Sequence, residues 1–352
     1  MPALLDWHEE NRRQLPWRVD REPYHVWLSE IMLQQTRIEA VIPYYERFLR
    51  ELPDIAALSR VDDERLMKLW EGLGYYSRAR NLKRAAEVIM KEYGGIFPSE
   101  ETAVRKLPGI GPYTAGAVLS LSFGKPVPAV DGNVLRIYAR LTVLPEEVDR
   151  PEVKRAVTKE LEKAYRFGDP AMLTEGLMEL GQKVCLPNGQ PHCMECPVRA
   201  FCKARKTGTQ EDYPRRLPKR KRTKEKRILA ILLCDGKVAI SRRKNSGLLA
   251  GLWEFPAAWH GDADQGFATH AEDTALRFAE ACGAHPSELL MKNTYTHIFT
   301  HKEWEMEAVY IRCGAPIGPF TWATPEELTE MYALPSAFRP FLDLVSKIAK
   351  SK

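Results

Sequence analysis

The sequence predicts a multidomain protein, an all-α domain followed by an α+β domain, on three observations. Over roughly the first two hundred residues, apolar side chains recur with the 3.6-residue period of a helix. A basic stretch at 214–227 interrupts that pattern. Beyond it, apolar residues run continuously or alternate with a period of two, as in strands. A chain of 352 residues has room for two such domains, each with its own core. Its 44% hydrophobic and 28% charged content excludes a fibrous or largely disordered polymer. No window holds the roughly 18 uninterrupted apolar residues of a membrane span, and the N-terminus MPALLDWHEENRRQLPWR has no basic-then-apolar leader. A cytoplasmic protein with no membrane partner is expected.

Taken in order, EIMLQQT reads in isolation as one turn of a buried helix with Ile31 and Leu33 inward and Glu30 as a surface acid. In VDDERLMKLWEGLGYY, Leu66, Leu69, Trp70 and Leu73 follow an Asp62 cap with helical spacing, and Leu82, Ala85, Ala86 and Ile89 repeat the pattern. At 107–123, LPGIGPYTAGAVLSLSF places Pro-Gly-Ile-Gly between a short helix and a longer one. Gly109 and Gly111 there permit a tight turn whose backbone N–H groups point outward at a helix N-terminus, a ready phosphate site. About twenty residues on, Val130-Asp131-Gly132-Asn133 opens a further helix, where an aspartate alone reads as a cap. In the second half, ILAILLC, an Asp235-Gly236 turn and KVAISRR form a hairpin signature, and EWEMEAVYIR alternates. Helices are expected at 275–281, after the Thr324-Pro325-Glu326-Glu327 start, and at 336–349. No internal repeat is visible.

The net charge of +5 is concentrated before residue 228; in PRRLPKRKRTKEKR, 214–227, nine basic residues meet one acid, Glu225. Such a run is either a solvated linker or a surface for nucleic-acid phosphates. Of seven cysteines, Cys185, Cys193, Cys196 and Cys202 are clustered with the spacing C-x7-C-x2-C-x5-C. Without a secretory leader, clustered thiols read as metal or cluster ligands. A zinc ribbon brings two short-spaced pairs across a longer gap; one compact loop holding all four thiolates favours an iron–sulfur cluster, with zinc the alternative. Cys234, Cys282 and Cys313 are scattered and read as small core residues.

Glycine hairpin, downstream aspartate and four-cysteine loop, in that order, resemble the helix-hairpin-helix DNA glycosylases related to endonuclease III, over most of residues 1–213. Bifunctional members of that superfamily carry a lysine nucleophile in the second hairpin helix; here that position is Tyr113, which cannot form an imine. The resemblance therefore implies a monofunctional glycosylase that removes the base and leaves the abasic strand intact. It also implies a 4Fe-4S cluster on the four cysteines, although seven residues rather than the frequent six separate the first two.

LPWR (15–18), SEIMLQQTRIEAV (29–41), GLGYYSRARNL (72–82) and TEGLMELG (174–181) narrow the likeness to the MutY family of adenine-DNA glycosylases. By that resemblance Glu30 is the general acid that protonates adenine N7, and Asp131 the carboxylate that stabilises or captures the oxocarbenium sugar. One carboxyl must stay protonated near neutral pH while the other stays ionised, so their surroundings must differ. Tyr113 and Asn133 would hydrogen-bond around the catalytic aspartate. Arg18 and Glu175 would contact the flipped adenine, and Trp17 would wall its pocket. Gln35 and Tyr75 would wedge into the duplex beside the lesion, with Thr36 and Leu33 nearby, because a flipped base leaves a gap to be propped. Lys183 and Arg199 would serve phosphates.

Residues 228–352 resemble the same family's C-terminal domain, which has the fold of Nudix pyrophosphatases; LLAGLWEFPAAW, 248–259, looks like the Nudix opening. Pyrophosphate hydrolysis fails on ligands: where the Nudix box needs several carboxylates for Mg²⁺, the stretch 276–283 retains only Glu280. The domain is then expected to read 8-oxoguanine, through Phe299-Thr300-His301 where the family usually shows Phe-Ser-His; His297 is left as strand structure. The expectation is a helical glycosylase domain at 1–213, containing the helix-hairpin-helix at 107–123 and the cluster loop at 185–202, then a basic linker at 214–227 and a Nudix-like domain at 228–352. Its partner is double-stranded DNA holding A·8-oxoguanine or A·G mispairs, met by a monomer at a bacterial nucleoid. Two other readings compete. A thymine or uracil mismatch glycosylase can also carry Tyr at the Lys position but lacks this C-terminal domain, and a catalytically silent DNA-binding module is disfavoured by retention of both Glu30 and Asp131.

Overall fold

The structure, a computed structural model, describes residues 2–218, 221–262, 270–316 and 318–350, so Lys219 and Arg220 of the basic stretch lie outside the described residues. The chain divides into two units, Met1–Val61 with Arg80–Pro218, and Asp62–Ala79 with Lys219–Lys352. The first is all-α. Its helices are α1 (Pro2–Asn11), α2 (Pro23–Met32), α3 (Ile38–Glu51), α4 (Ile55–Arg60), most of α6 (Ser77–Glu92), α7 (Glu101–Val104), α8 (Pro112–Phe123), α9 (Gly132–Thr142), α10 (Pro151–Tyr165), α11 (Pro170–Lys183) and α12 (Lys203–Thr207). Caps fix where the helices that matter begin. Glu22, Asp131 and Asp169 accept first-turn N–H bonds at the heads of α2, α9 and α11, and Pro23 and Pro170 occupy first-turn positions whose N–H has no helical partner. Helix α8 is buried along nearly its whole length, with α2 and α11 packed on it, while α11 also packs on α1 and α9. Leu4, Val134, Ile137, Leu173, Leu177 and Leu180 fill one core of this unit.

Helix α5 (Asp63–Leu69) opens on the expected Asp62 cap but ends before the periodicity does. Gly72 and Gly74 take φ of 98° and 67°, a left-handed region that stops the helix, while Trp70 and Leu73 remain buried from the turn that follows.

The second unit is built on a mixed sheet in the order β3-β2-β1-β6-β5, with β4 added to β1 and β7 to β2. The strands are β1 (Thr223–Cys234), β2 (Lys237–Arg242), β3 (Trp253–Glu254), β4 (Ala257–Asp262), β5 (Pro286–Ile298), β6 (Lys302–Cys313) and β7 (Thr321–Ala323). β1 and β6 are parallel and the other pairs antiparallel. Asp235 and Gly236 both take positive φ, 47° and 74°, which lets a two-residue turn follow the twist of β1 and β2. The continuous apolar run of β1 reflects burial on both faces. Leu229, Ile231 and Leu233 join one core with Phe338, Phe341 and Val345; Ile228, Ala230 and Leu232 join another with Ala275 and Ala279 of α13 (Ala271–Ala281). Two helix starts differ from expectation. α13 begins four residues early, and 336–338 form a 3-10 turn before α15 (Arg339–Lys350), whose early Pro340 has no N–H to offer a longer helix. α14 (Pro325–Glu330) starts in a reciprocal Thr324/Glu327 capping box.

The basic stretch is not one linker. Thr223 to Arg227 already pair with β6, from Thr223 opposite Lys302 to Arg227 opposite Met306. The strand accommodates these charges by pairing them: Lys224 lies 3.4 Å from Glu303 and from Glu305, and buried Arg227 lies 3.2 Å from Glu225 and from Glu254 with its guanidinium 4.0 Å from the Trp304 ring. Upstream, Arg216 pairs with Asp149 at 3.0 Å within the helical unit. No described helix is long and apolar enough to cross a membrane.

Candidate active site

A cavity of about 590 Å³ in the helical unit collects Trp17, Arg18, Glu30, Leu33, Thr36, Tyr113, Asp131, Asn133 and Glu175 along its walls. These residues come from separate segments: the 3-10 turn Pro16–Arg18, α2, the head of α8, the head of α9, and α11. Glu30 is not the surface acid its local sequence suggests but 4% exposed. Burial, which penalises the charged carboxylate, raises its pKa to about 7. The Tyr113 hydroxyl, donating to Glu30 Oε2 at 2.8 Å, and the charge of Arg18 work against that rise, and the charge of Asp131 adds to it. Tyr113 itself is driven well above the usual phenol range by burial and by the two carboxylates, so it stays a donor.

Asp131 is half-buried and differently served. As the cap of α9 its Oδ1 accepts the N–H groups of Asn133 at 2.9 Å and Val134 at 2.8 Å, and its Oδ2 accepts Asn133 Nδ2 at 2.7 Å. Three donors thus converge on this one carboxylate. Of the two residues expected around this aspartate, Asn133 bonds to it, whereas Tyr113 turns to Glu30. Asn133 is held in turn by Arg136, 2.9 Å from its Oδ1, and by Gly181, where a β-carbon would sit 2.7 Å from Asn133 Cβ. Gly116 of α8 has the same function for the segment leading into Asp131, since a β-carbon there would lie 2.3 Å from the Pro128 carbonyl oxygen.

On α11, Glu175 and Glu179 are both buried. Burial presses the Glu175 carboxyl upward, but His8, with Nε2 3.1 Å from Oε2, and the charges of Arg18 and Arg21 hold it below the usual range. Arg18 Nη1 donates to Glu179 Oε1 at 2.7 Å, and Arg13 Nε to Glu179 Oε2 at 2.9 Å. Glu179, Arg13, His8 and Arg21 were not singled out from the sequence. The available signal for Glu179 was its place one turn after Glu175 in TEGLMELG, an acid on the same face of a mostly apolar helix.

Other expected residues lie outside this cavity. Gln35 is exposed with a left-handed φ of 59° in the turn that follows α2. Gly109, φ 76°, makes the hairpin turn before α8, where a β-carbon would meet Asn81 Cβ at 2.6 Å, and Gly111 is the N-cap residue of α8. In the second unit Phe299, Thr300 and His301 form the turn joining β5 to β6, closed by Phe299 N–H to the Lys302 carbonyl at 2.8 Å, and His297 is a strand residue. The Phe299 ring packs edge-on against Trp304 at 4.8 Å. Tyr75, 45% exposed with φ of 45°, brings its hydroxyl into hydrogen-bonding contact with that of Thr300. Lys183 donates to the Asn11 carbonyl at 2.5 Å and Arg199 to that of Met194, so both have protein partners.

Cys185, Cys193, Cys196 and Cys202 line a second, small cavity of about 30 Å³. Arg140 Nη1 lies 3.3 Å from Cys185 Sγ, and Gln210 Nε2 3.7 Å from Cys193 Sγ. Burial, reinforced by the other three sulfurs, pushes the Cys196 thiol up to about 11.

Residues 28–163 match the HhH-GPD superfamily of base excision DNA repair proteins, and residues 227–344 match the NUDIX domain. The helical unit with its cavity, followed by the mixed-sheet unit, is thus a DNA-repair glycosylase fold joined to a Nudix fold. A solved thermostable thymine-DNA glycosylase superposes with a TM-score of 0.54 at 28% identity, covering 58% of this chain and 94% of that one. An adenine DNA glycosylase of Buchnera aphidicola (Baizongia pistaciae) is 34% identical over 261 residues, 72% of either chain, and that of Arabidopsis thaliana is 34% identical over 348 residues. The chain belongs to the adenine DNA glycosylase family. It covers 55% of the length of the Arabidopsis protein, while 85% of its own length is matched.

Proposed function

We propose that this protein hydrolyses the N-glycosidic bond of adenine mispaired with 8-oxoguanine or guanine in duplex DNA, as a monofunctional glycosylase in base excision repair. The observation that carries this reading is the pair of unlike carboxyls in one cavity: Glu30, buried with a pKa of about 7, and Asp131, served by three N–H donors. The adenine leaves the stack and enters the cavity, walled by Trp17 and met by Arg18 and Glu175. The Glu30 carboxyl gives its proton to N7, the C1′–N9 bond breaks with its electron pair going to the base, and the Asp131 carboxylate stabilises the cationic sugar. Water then adds at C1′, losing its proton to the Glu30 carboxylate. Tyr113 supplies no amine, so no Schiff base forms and the strand stays intact.

Gln35 and Tyr75 are read as the wedges that prop the duplex, Leu33 and Thr36 as their neighbours, and the Gly109–Gly111 turn as a phosphate site. The left-handed backbone of Gln35 and of Tyr75 supports this, since such strain in non-glycine residues concentrates at functional sites. Phe299, Thr300 and His301 are read as the 8-oxoguanine reader. The four cysteines fit a 4Fe-4S cluster: they line one cavity, with Arg140 and Gln210 donating towards sulfur. The cluster would tie the 185–202 loop together.

Single-turnover cleavage of duplexes carrying A·8-oxoguanine, A·G, T·G or U·G, each with and without alkali, tests this reading. Strand breaks at A that need alkali are expected. Asp131→Asn, which preserves a capping side chain, should abolish them while leaving duplex binding in place. Cleavage of T·G or U·G alone would move the assignment to a mismatch-pyrimidine glycosylase.

A further inference from the structure

We propose that Glu179 is a positioning residue of the base pocket: it fixes Arg18 to the cavity wall, and through Arg18 it sets how the pocket engages the flipped base. This rests on reading the cavity as the adenine pocket. Glu179 lies one helical turn beyond Glu175 on α11, and its side chain is 0% exposed. A buried carboxylate is costly unless paired, and this one is paired three times. Arg18 Nη1 lies 2.7 Å from Oε1, Arg13 Nε 2.9 Å from Oε2, and Lys183 Nζ 3.6 Å from Oε2. Burial pushes the Glu179 carboxyl upward, but Arg18 and Arg13 outweigh it and keep the group ionised.

Arg13 and Arg18 both line the cavity. Besides Glu179, Arg18 has a weaker tie among the described residues, from Nη1 to the Arg13 carbonyl at 3.3 Å. Two guanidiniums side by side repel each other, and the shared carboxylate is what holds both inward. The position of Arg18 is then felt twice, because its charge opposes the effect of burial at Glu30 and again at Glu175. The groups facing Glu30 are Tyr113 of α8, Asp131 at the head of α9, and Arg18; those facing Glu179 are Arg13, Arg18 and Lys183. Arg13 also donates to Gln182, closing the network on α11.

The test is a double-mutant cycle of Arg18→Gln and Glu179→Gln, read by single-turnover adenine excision across pH. Each single change is expected to slow excision roughly ten- to hundredfold, the size of one lost charge-assisted hydrogen bond. The double variant is expected to be no slower than Arg18→Gln alone. In both single variants Glu30 loses the opposing guanidinium, so the fall of activity on raising pH should move to higher pH. Additive losses, or a limb that moves to lower pH in Glu179→Gln, would overturn the proposal, since Glu179 would then act by its own charge or by packing alone. Glu179→Asp, which keeps the charge but shortens the arm, replaces Glu179→Gln if that variant does not fold, with non-additivity against Arg18→Gln again the deciding outcome. If the wild type excises adenine from no mispair, the pocket reading fails. The positioning claim is then decided by ¹³C titration of the Glu30 carboxyl, assigned by its loss in Glu30→Gln: an upward shift in both variants supports it, and no shift in Glu179→Gln overturns it.

Discussion

Glu30 and Glu175 are the same residue type on the wall of one cavity, and both are buried, yet their carboxyls move in opposite directions. The difference is in the partners. Glu30 meets a neutral donor, Tyr113, and the opposing charge of Arg18, whereas Glu175 has His8, Arg18 and Arg21 around it. Glu30 is thus suited to hold a proton near neutral pH and Glu175 to accept hydrogen bonds from an amine. Because the pKa of Glu30 is raised from 4.5 to about 7, the folded state binds the proton more tightly than the unfolded chain. Stability tied to this group is therefore full below about pH 4.5 and is lost as pH rises to about 7, a cost of about 3 kcal/mol above that point. Glu30→Gln should melt higher than the wild type at pH 8, with the gap closing towards pH 5, while excision is abolished. Thermal melts at the two pH values check the first outcome, and equal gaps at both would contradict the assignment.

At the scale of elements, what places the carboxylates is close packing between helices that only glycine allows. Gly116→Ala should force the Pro128–Ala129 backbone away from α8, destabilising the protein by roughly 1–3 kcal/mol and displacing Asp131 at the end of that segment. Gly109→Ala combines a left-handed backbone with a clash against Asn81, and should weaken duplex binding along with stability. Denaturant melts and salt-dependent duplex binding measure the two effects. If Gly116→Ala keeps full excision, Asp131 does not depend on this contact. These elements were well marked in the sequence: the Asp62, Asp131 and Thr324 caps, the glycine hairpin and the Asp235-Gly236 turn are local chemistry, and the structure realises each. Local signals failed where burial decided. The 214–227 run is basic enough to read as a linker, but its last residues become a strand because Glu254, Glu303, Glu305 and Trp304, distant in sequence, receive their charges.

Over the whole molecule, the unit that holds the sheet also contains Asp62–Ala79. Lys68 donates to the carbonyls of Leu328 at 3.2 Å and Tyr332 at 3.0 Å, and Glu71 accepts the Leu334 N–H at 2.9 Å. Removing residues 228–352 would strip those partners from α5 and its following turn, so a truncation would confound lesion reading with local unfolding. Point changes in the β5–β6 turn are the cleaner probe. Phe299→Ala, which empties the contact with Trp304, and His301→Ala should reduce the preference for A·8-oxoguanine over A·G more than they reduce the rate on A·G. Single-turnover rates on the two mispairs give the ratio directly, and equal losses on both would count against a reader in this turn. The same grouping brings Tyr75 to Thr300, two residues 225 positions apart that the sequence assigned to wedge and reader separately.

The sequence by itself determined the order of the two folds, the helix caps, the turns and, through dense family motifs, the identities of the residues now found around one cavity. Those features are written in short-range patterns: a 3.6 or two-residue period, a capping side chain, a glycine where φ must be positive. Tertiary structure alone decided the electrostatics. Whether a glutamate is a surface acid, a proton holder or an ionised anchor depends on how much water is excluded and which charges from other helices arrive. Glu30, Glu175 and Glu179 received three different environments from α8, the 3-10 turn and the segment around α1. Burial and long-range charge pairing have no local period, so the role of Glu179 and the entry of the basic run into β1 became visible only when the chain was folded.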